Sequence, residues 1–106
     1  MNNLNVSLYL VTDSTYHTEE SFLRTVEDAC KGGVTLVQLR EKNTGGRDYL
    51  EKACKVREIT DRYQIPLIID DRVDVAMACG AAGVHVGASD LPVAEVRRLL
   101  GPDKIV

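Results

Sequence analysis

Short apolar runs rich in Val, Ile and Leu alternate along this chain with longer stretches of helical period, an alternation that points to repeated strand-helix units. The first run, Val6 to Val11, ends in the polar Thr12, Asp13 and Ser14. Helical spacing follows in Phe22, Leu23, Val26, Ala29 and Cys30, with Thr18 as N-cap and Gly32-Gly33 as the stop. A second run, Val34 to Leu39, leads through a charged, glycine-containing loop into a helix marked by Leu50, Ala53, Cys54, Val56 and Arg57. Pro66 opens a third run, Leu67 to Ile69, which stops at Asp70-Asp71. Val73, Ala76 and Met77 suggest a short third helix, Val84 to Val86 a fourth strand, and Val93, Val96, Leu99 and Leu100 a fourth helix. Lys104 to Val106 reads as the start of a fifth strand.

Runs this apolar on both faces suit a parallel sheet buried under crossover helices. An eight-unit barrel takes about 250 residues and seldom fewer than about 200. The 106 residues here would make close to half of one. An open doubly wound sheet fits the length better, and periodicity alone does not separate the two.

Composition narrows the function. With 13 Lys and Arg against 16 Asp and Glu, the net charge of −3 gives no electrostatic reason to expect nucleic acid or an anionic membrane as partner. No stretch approaches the roughly 18 apolar residues of a membrane span, and no basic segment precedes the first apolar run. Cys30, Cys54 and Cys79 form no CxxC pair and fall within helical patterns, so they read as reduced core thiols of a cytoplasmic protein. The expectation is a single domain over residues 1–106.

Polar residues gather where the strands end, which is where parallel α/β folds bind ligands. Gln38 and Arg40 share one face of a strand, and Lys42 follows just beyond it, so one edge presents an amide and two cations suited to phosphate oxygens. The alternative is a solvated charged loop with an Arg-Glu pair to a helix. Asp70-Asp71 places adjacent carboxylates at a strand end, where a hard divalent ion such as Mg²⁺ would relieve their repulsion. Asp90, after the next strand, is in reach of the same ion; Asp71 and Asp90 fit equally well as helix N-caps. His85, between two valines, reads as a core histidine, and His17 as loop surface. No GxGxxG, P-loop, GxSxG or HExxH occurs.

LYLVTD, GGVTLVQLREK, PLIIDDRVDVA, AAGVHVGASDLP and GPDKIV resemble, in this order and spacing, the N-terminal half of the thiamine phosphate synthase family, and the resemblance covers nearly the whole chain. It implies a partial (β/α)₈ barrel of about four βα units plus the start of a fifth strand, apparently truncated. It also implies a transferase that joins 4-amino-2-methyl-5-hydroxymethylpyrimidine diphosphate to a thiazole phosphate, releasing pyrophosphate and forming thiamine phosphate. Carried over by motif, Gln38, Arg40, Lys42 and Asp70 would bind the pyrimidine diphosphate, and Asp71 and Asp90 would hold Mg²⁺ on its pyrophosphate. No residue is assigned as nucleophile, acid or base.

Two departures stand out. Asp70 occupies a position where the family usually has Asn, which sets a carboxylate facing pyrophosphate unless it is protonated or shielded by the metal, and Ala88 stands where the family commonly has Gln. The family's thiazole-phosphate loops lie in its second half, so the fragment is expected to bind metal and part of the diphosphate without completing catalysis. A second copy could complete the barrel as a homo-oligomer. The rivals are a thiazole tautomerase of the same barrel family, which lacks the metal carboxylates, and a non-catalytic phosphate-binding half-barrel.

Overall fold

The computed structural model describes residues 4–42 and 44–106. Strands and helices alternate strictly: β1 (Tyr9–Val11), α1 (Glu19–Lys31), β2 (Leu36–Leu39), α2 (Gly46–Arg62), β3 (Leu67–Asp70), α3 (Val73–Cys79), β4 (Gly83–His85) and α4 (Val93–Leu100). All neighbouring strands are parallel, in the order β1-β2-β3-β4.

Sheet order separates the two architectures that periodicity left open. A doubly wound sheet reverses its strand order at a switch point and carries helices on both faces. Here the order is sequential, and the alternate strand residues Val37, Leu39, Leu67, Ile69 and Val84 join one core with Phe22 and Val26 of α1, Ala53 and Val56 of α2, Val75 and Ala76 of α3 and Val96 of α4. Every helix therefore covers the same face, as on the outside of a barrel. The register puts Tyr9, Leu36, Gln38, Ile68, Asp70 and His85 on the opposite, inner face. The structure is a partial (β/α)₈ barrel. Its fifth strand begins as expected: Ile105 bridges Gly83 in parallel, its N–H donating to Ala82 O and its carbonyl accepting from Val84 N–H, both at 3.0 Å. A Cβ on Gly83 would collide with the Ile105 backbone, so glycine is what lets this strand approach.

Local signals explain the ends. Thr18 caps α1 by accepting from Ser21 N–H at 3.1 Å, with Glu19 and Glu20 in the first turn and Lys31 in the last, all favourable to the helix dipole. Gly80 closes α3 in the left-handed conformation at φ 69°. Helix α2 starts at Gly46, a turn before the apolar spacing suggests, and buries Tyr49. Two readings change. Neither Asp71 nor Asp90 caps a helix: the cap residues are Arg72 for α3 and Pro92 for α4. Of the cysteines, all free, Cys30 and Cys79 are buried but Cys54 is exposed, because the buried stripe of α2 runs through Tyr49, Ala53, Val56 and Thr60 and leaves Cys54 a hundred degrees aside. No helix among the described residues is long and apolar enough to cross a membrane.

Candidate active site

Three strand ends meet at the C-terminal rim of the sheet, and one buried side chain ties two of them together. Tyr49, in the first turn of α2, reaches Leu39 O at 2.9 Å and Asp70 O at 3.0 Å with its hydroxyl. It thereby holds the tips of β2 and β3 at the residues immediately before Arg40 and Asp71. Burial pushes the pKa of its hydroxyl far above that of an ordinary phenol, so it remains a donor.

The acidic part of the site follows β3 and β4. Asp70 is buried, yet its carboxylate is paired on both oxygens: Lys42 Nζ lies 3.3 Å from Oδ2 and His85 Nδ1 lies 3.0 Å from Oδ1. The repulsion expected of a carboxylate at this position is met by these two groups. Asp71 turns sharply away at φ 70°, a left-handed conformation that Asp tolerates better than most residues, and its N–H donates to His85 O at 2.7 Å. Asp90 is held by Gly87 N–H at 2.7 Å in the turn after β4. These restraints set Asp71 and Asp90 close to one another at the ends of β3 and β4. Partial burial and then the facing Asp90 carboxyl raise Asp71 above the usual carboxylate range, whereas the Gly87 N–H and then Asp71 lower Asp90.

The basic part follows β2. Gln38 is buried on the inner face and donates its amide N–H to the Tyr9 hydroxyl at 2.6 Å. Arg40 is exposed and its backbone N–H donates to Thr12 Oγ1 at 3.1 Å. With Lys42 it lines a polar cavity of about 220 Å³ shared with Asp13, Ser14, Thr15, Glu41 and Thr44. Thr15, mainly through its hydroxyl and then its N–H, holds the Asp13 carboxyl below its usual range, with a smaller contribution from Arg40. Glu41 pairs with Lys52 of α2 rather than with Arg40.

The structure thus gathers Lys42, Asp70, Asp71 and Asp90 at one rim, sets Arg40 over the adjoining cavity, and places Gln38 deeper on the inner face. His85 is a correction: it is not a core histidine, since its side chain is about half exposed on the inner face and partners Asp70. The Asp70–His85 register carries the signal, because aligned parallel residues share a face. Tyr49 and Glu41 were also missed, as nothing in a lone aromatic or a charge between two cations marks burial. Among the described residues no group of three or more His, Cys, Asp or Glu is arranged to hold a metal. Asp71 and Asp90, neighbours at the ends of β3 and β4, nevertheless fit a hard divalent cation that takes one or two carboxylates and completes its shell with water and phosphate oxygens.

Fold and rim together define a class: a parallel β/α barrel half with an acidic pair and a basic loop at the C-terminal strand ends, the ligand-binding face of such barrels. A family profile described as thiamine monophosphate synthase matches residues 8–106, and the chain belongs to that family. It is 55% identical over its full 106 residues to thiamine-phosphate synthase 2 of Streptococcus pneumoniae serotype 4, covering 50% of that protein. It is 52% identical over the same span to the thiamine-phosphate synthase of Clostridium acetobutylicum, again covering 50%. Among solved structures, thiamine phosphate pyrophosphorylase from Pyrococcus furiosus matches with a TM-score of 0.85 and 35% identity, over 94% of this chain and 48% of that one. The chain therefore spans about half the length of the curated relatives it matches.

Proposed function

We propose that these residues form the diphosphate- and metal-binding half of a thiamine-phosphate synthase site, the N-terminal half of a (β/α)₈ barrel domain. The observation that carries this reading is that Asp71, bonded through its N–H to His85 O, and Asp90, held by Gly87 N–H, stand on the rim that also presents Lys42, with Arg40 over the adjoining cavity. In the reaction, the bond between the pyrimidine methylene carbon and the diphosphate oxygen breaks, its electron pair leaving with pyrophosphate. The thiazole nitrogen then gives its lone pair to the resulting methylene cation, forming the carbon–nitrogen bond of thiamine phosphate. The hard step is the departure. Arg40 and Lys42 stabilise charge that grows on the departing oxygens, an interaction stronger in the transition state than in the bound substrate. Asp70 holds Lys42 in place, and Gln38, deeper on the inner face, would bind the pyrimidine diphosphate with them. Asp71 and Asp90 would hold Mg²⁺, whose chemistry when bound is to neutralise the same developing charge. No side chain need attack or move a proton.

The acidic pair favours the synthase over the thiazole tautomerase, which lacks these carboxylates. These residues make up half a barrel, so by themselves they bind Mg²⁺ and pyrophosphate, and thiamine phosphate forms only where the other half of the barrel is supplied. Among the described residues β1 pairs on one side only, and with the exposed apolar Val6, Leu8, Tyr9 and Val11 this supports a second copy as a partner, rather than nucleic acid or membrane. Three free cysteines support a cytoplasmic location.

The test is a calorimetric titration of pyrophosphate with and without Mg²⁺, alongside an assay for thiamine phosphate from both substrates. Metal-dependent binding that weakens about tenfold or more in Asp71→Asn is expected. Neither binding nor product would overturn the reading in favour of a structural half-barrel. Elution from a sizing column as a stable monomer would remove the second copy.

A further inference from the structure

Glu41 poses a problem for any anion site built on its neighbours. It stands between Arg40 and Lys42, and a free carboxylate there would draw both cations away from a ligand. The structure turns it inward. Its side chain is only 4% exposed, and both its oxygens accept from Ser14 Oγ, at 3.0 and 2.7 Å. Lys52 Nζ donates to Oε1 at 2.7 Å, lies 3.4 Å from Ser14 Oγ and sits 5.1 Å from the centre of the Phe22 ring. Three elements meet at this carboxylate, the loop after β1 through Ser14, the loop after β2 through Glu41 itself and α2 through Lys52, and α1 joins them through Phe22 against the Lys52 ammonium.

We propose that Glu41 is a positioning residue: locked to Ser14 and Lys52, it pins the loop after β2 so that Arg40 and Lys42 face outward over the strand ends as a preformed anion clamp. Two features make the pin effective. The Glu41 side chain is buried while Arg40 and Lys42 on either side of it are exposed, so anchoring its carboxylate fixes the backbone from which both cations project. Lys52 cancels its charge in a water-poor setting where ion pairs are least screened. Arg40 N–H, bonded to Thr12 Oγ1 at 3.1 Å, reports on the same loop from the backbone.

The inference rests on the proposed anion site, but its test separates the two. Glu41→Gln, Glu41→Ala and Lys52→Met are compared by hydrogen exchange and by titration with pyrophosphate and Mg²⁺. Positioning predicts that Glu41→Ala speeds exchange at the Arg40 amide at least tenfold while Val37 and Ile69 amides in the sheet are unchanged, and that pyrophosphate binding weakens about ten- to hundredfold. Glu41→Gln, which keeps an acceptor for Ser14, should fall between Glu41→Ala and the parent chain. The sign decides: removing a negative charge from between two cations would by itself strengthen anion binding. Binding that is unchanged or tighter in folded Glu41→Ala would overturn the inference, as would an unchanged Arg40 exchange rate. If the parent chain binds no pyrophosphate, the proposed function fails while the exchange comparison still decides the role of Glu41. Should Glu41→Ala not fold, the Lys52→Met and Glu41→Gln single and double variants carry the same two readouts, and additive effects in that cycle would refute a shared network.

Discussion

Replacing Tyr49 by Phe removes one oxygen and leaves everything else that the ring does. The side chain is 1% exposed, so its burial against the core is kept, and no cavity larger than a hydroxyl opens. What is lost is the donor shared by Leu39 O at 2.9 Å and Asp70 O at 3.0 Å, in residues that are themselves 0% and 6% exposed. Water does not readily reach these carbonyls to replace it. An unsatisfied buried polar group costs about 1–3 kcal/mol, and one hydrogen serving two acceptors places this case near the middle, at about 2 kcal/mol. For a chain of about a hundred residues that lowers the melting temperature by roughly 8–16 °C. The assay is urea unfolding, where the midpoint should fall with an unchanged slope, because the surface exposed on unfolding is the same. Tyr63→Phe is the internal control: its hydroxyl donates to Glu27 at 3.0 Å on a half-buried side chain open to solvent, and its loss should cost less than about 1 kcal/mol. Since burial keeps the Tyr49 phenol protonated well beyond neutral pH, the difference between the two variants should not change between pH 6 and about 9. A Tyr49→Phe loss no greater than that of Tyr63→Phe would refute the idea that this hydroxyl fastens the strand tips.

Two further outcomes follow from the same geometry. Asp71 is shifted upward by partial burial and by Asp90, so it keeps its proton to a higher pH than a free carboxyl, and its contribution to stability is present at acid pH and lost as pH rises through its raised value. Metal binding runs the opposite way: Mg²⁺-dependent pyrophosphate affinity should fall as pH drops through that same range, with proton release on binding measurable by calorimetry in buffers of different ionisation enthalpy, and a flat profile down to pH 4 would exclude Asp71 as the group displaced. Gly83→Ala should cost about 1–3 kcal/mol by driving Ile105 off the sheet, and exchange at the Val84 and Ile105 amides should rise well before the rest of β4; protected Ile105 in the variant would mean the fifth strand does not depend on that glycine.

How far the sequence could be read depended on whether a residue's neighbours lie nearby in the chain. Thr18 was legible as a cap because the group it satisfies, Ser21 N–H, is three residues away, and the helix faces were legible because one buried stripe repeats along each helix. The barrel order was not, since sequential and reversed sheets need the same local pattern; only the β1-β2-β3-β4 pairing and the single covered face decide it. His85 shows the limit most clearly. Flanked by Val84 and Val86 it looks buried, but alternation puts Val84 into the helix-covered core and His85 on the inner face, level with Asp70. The same alternation, applied across aligned strands rather than along one, also accounts for why an Asp can stand where the family usually has Asn. A carboxylate there gains Lys42 and His85 as partners, and an amide would give up the attraction to the Lys42 charge. The local departure from the family pattern and the misread histidine are therefore two sides of one contact between β3 and β4. Neither residue explains itself until the strands are placed side by side.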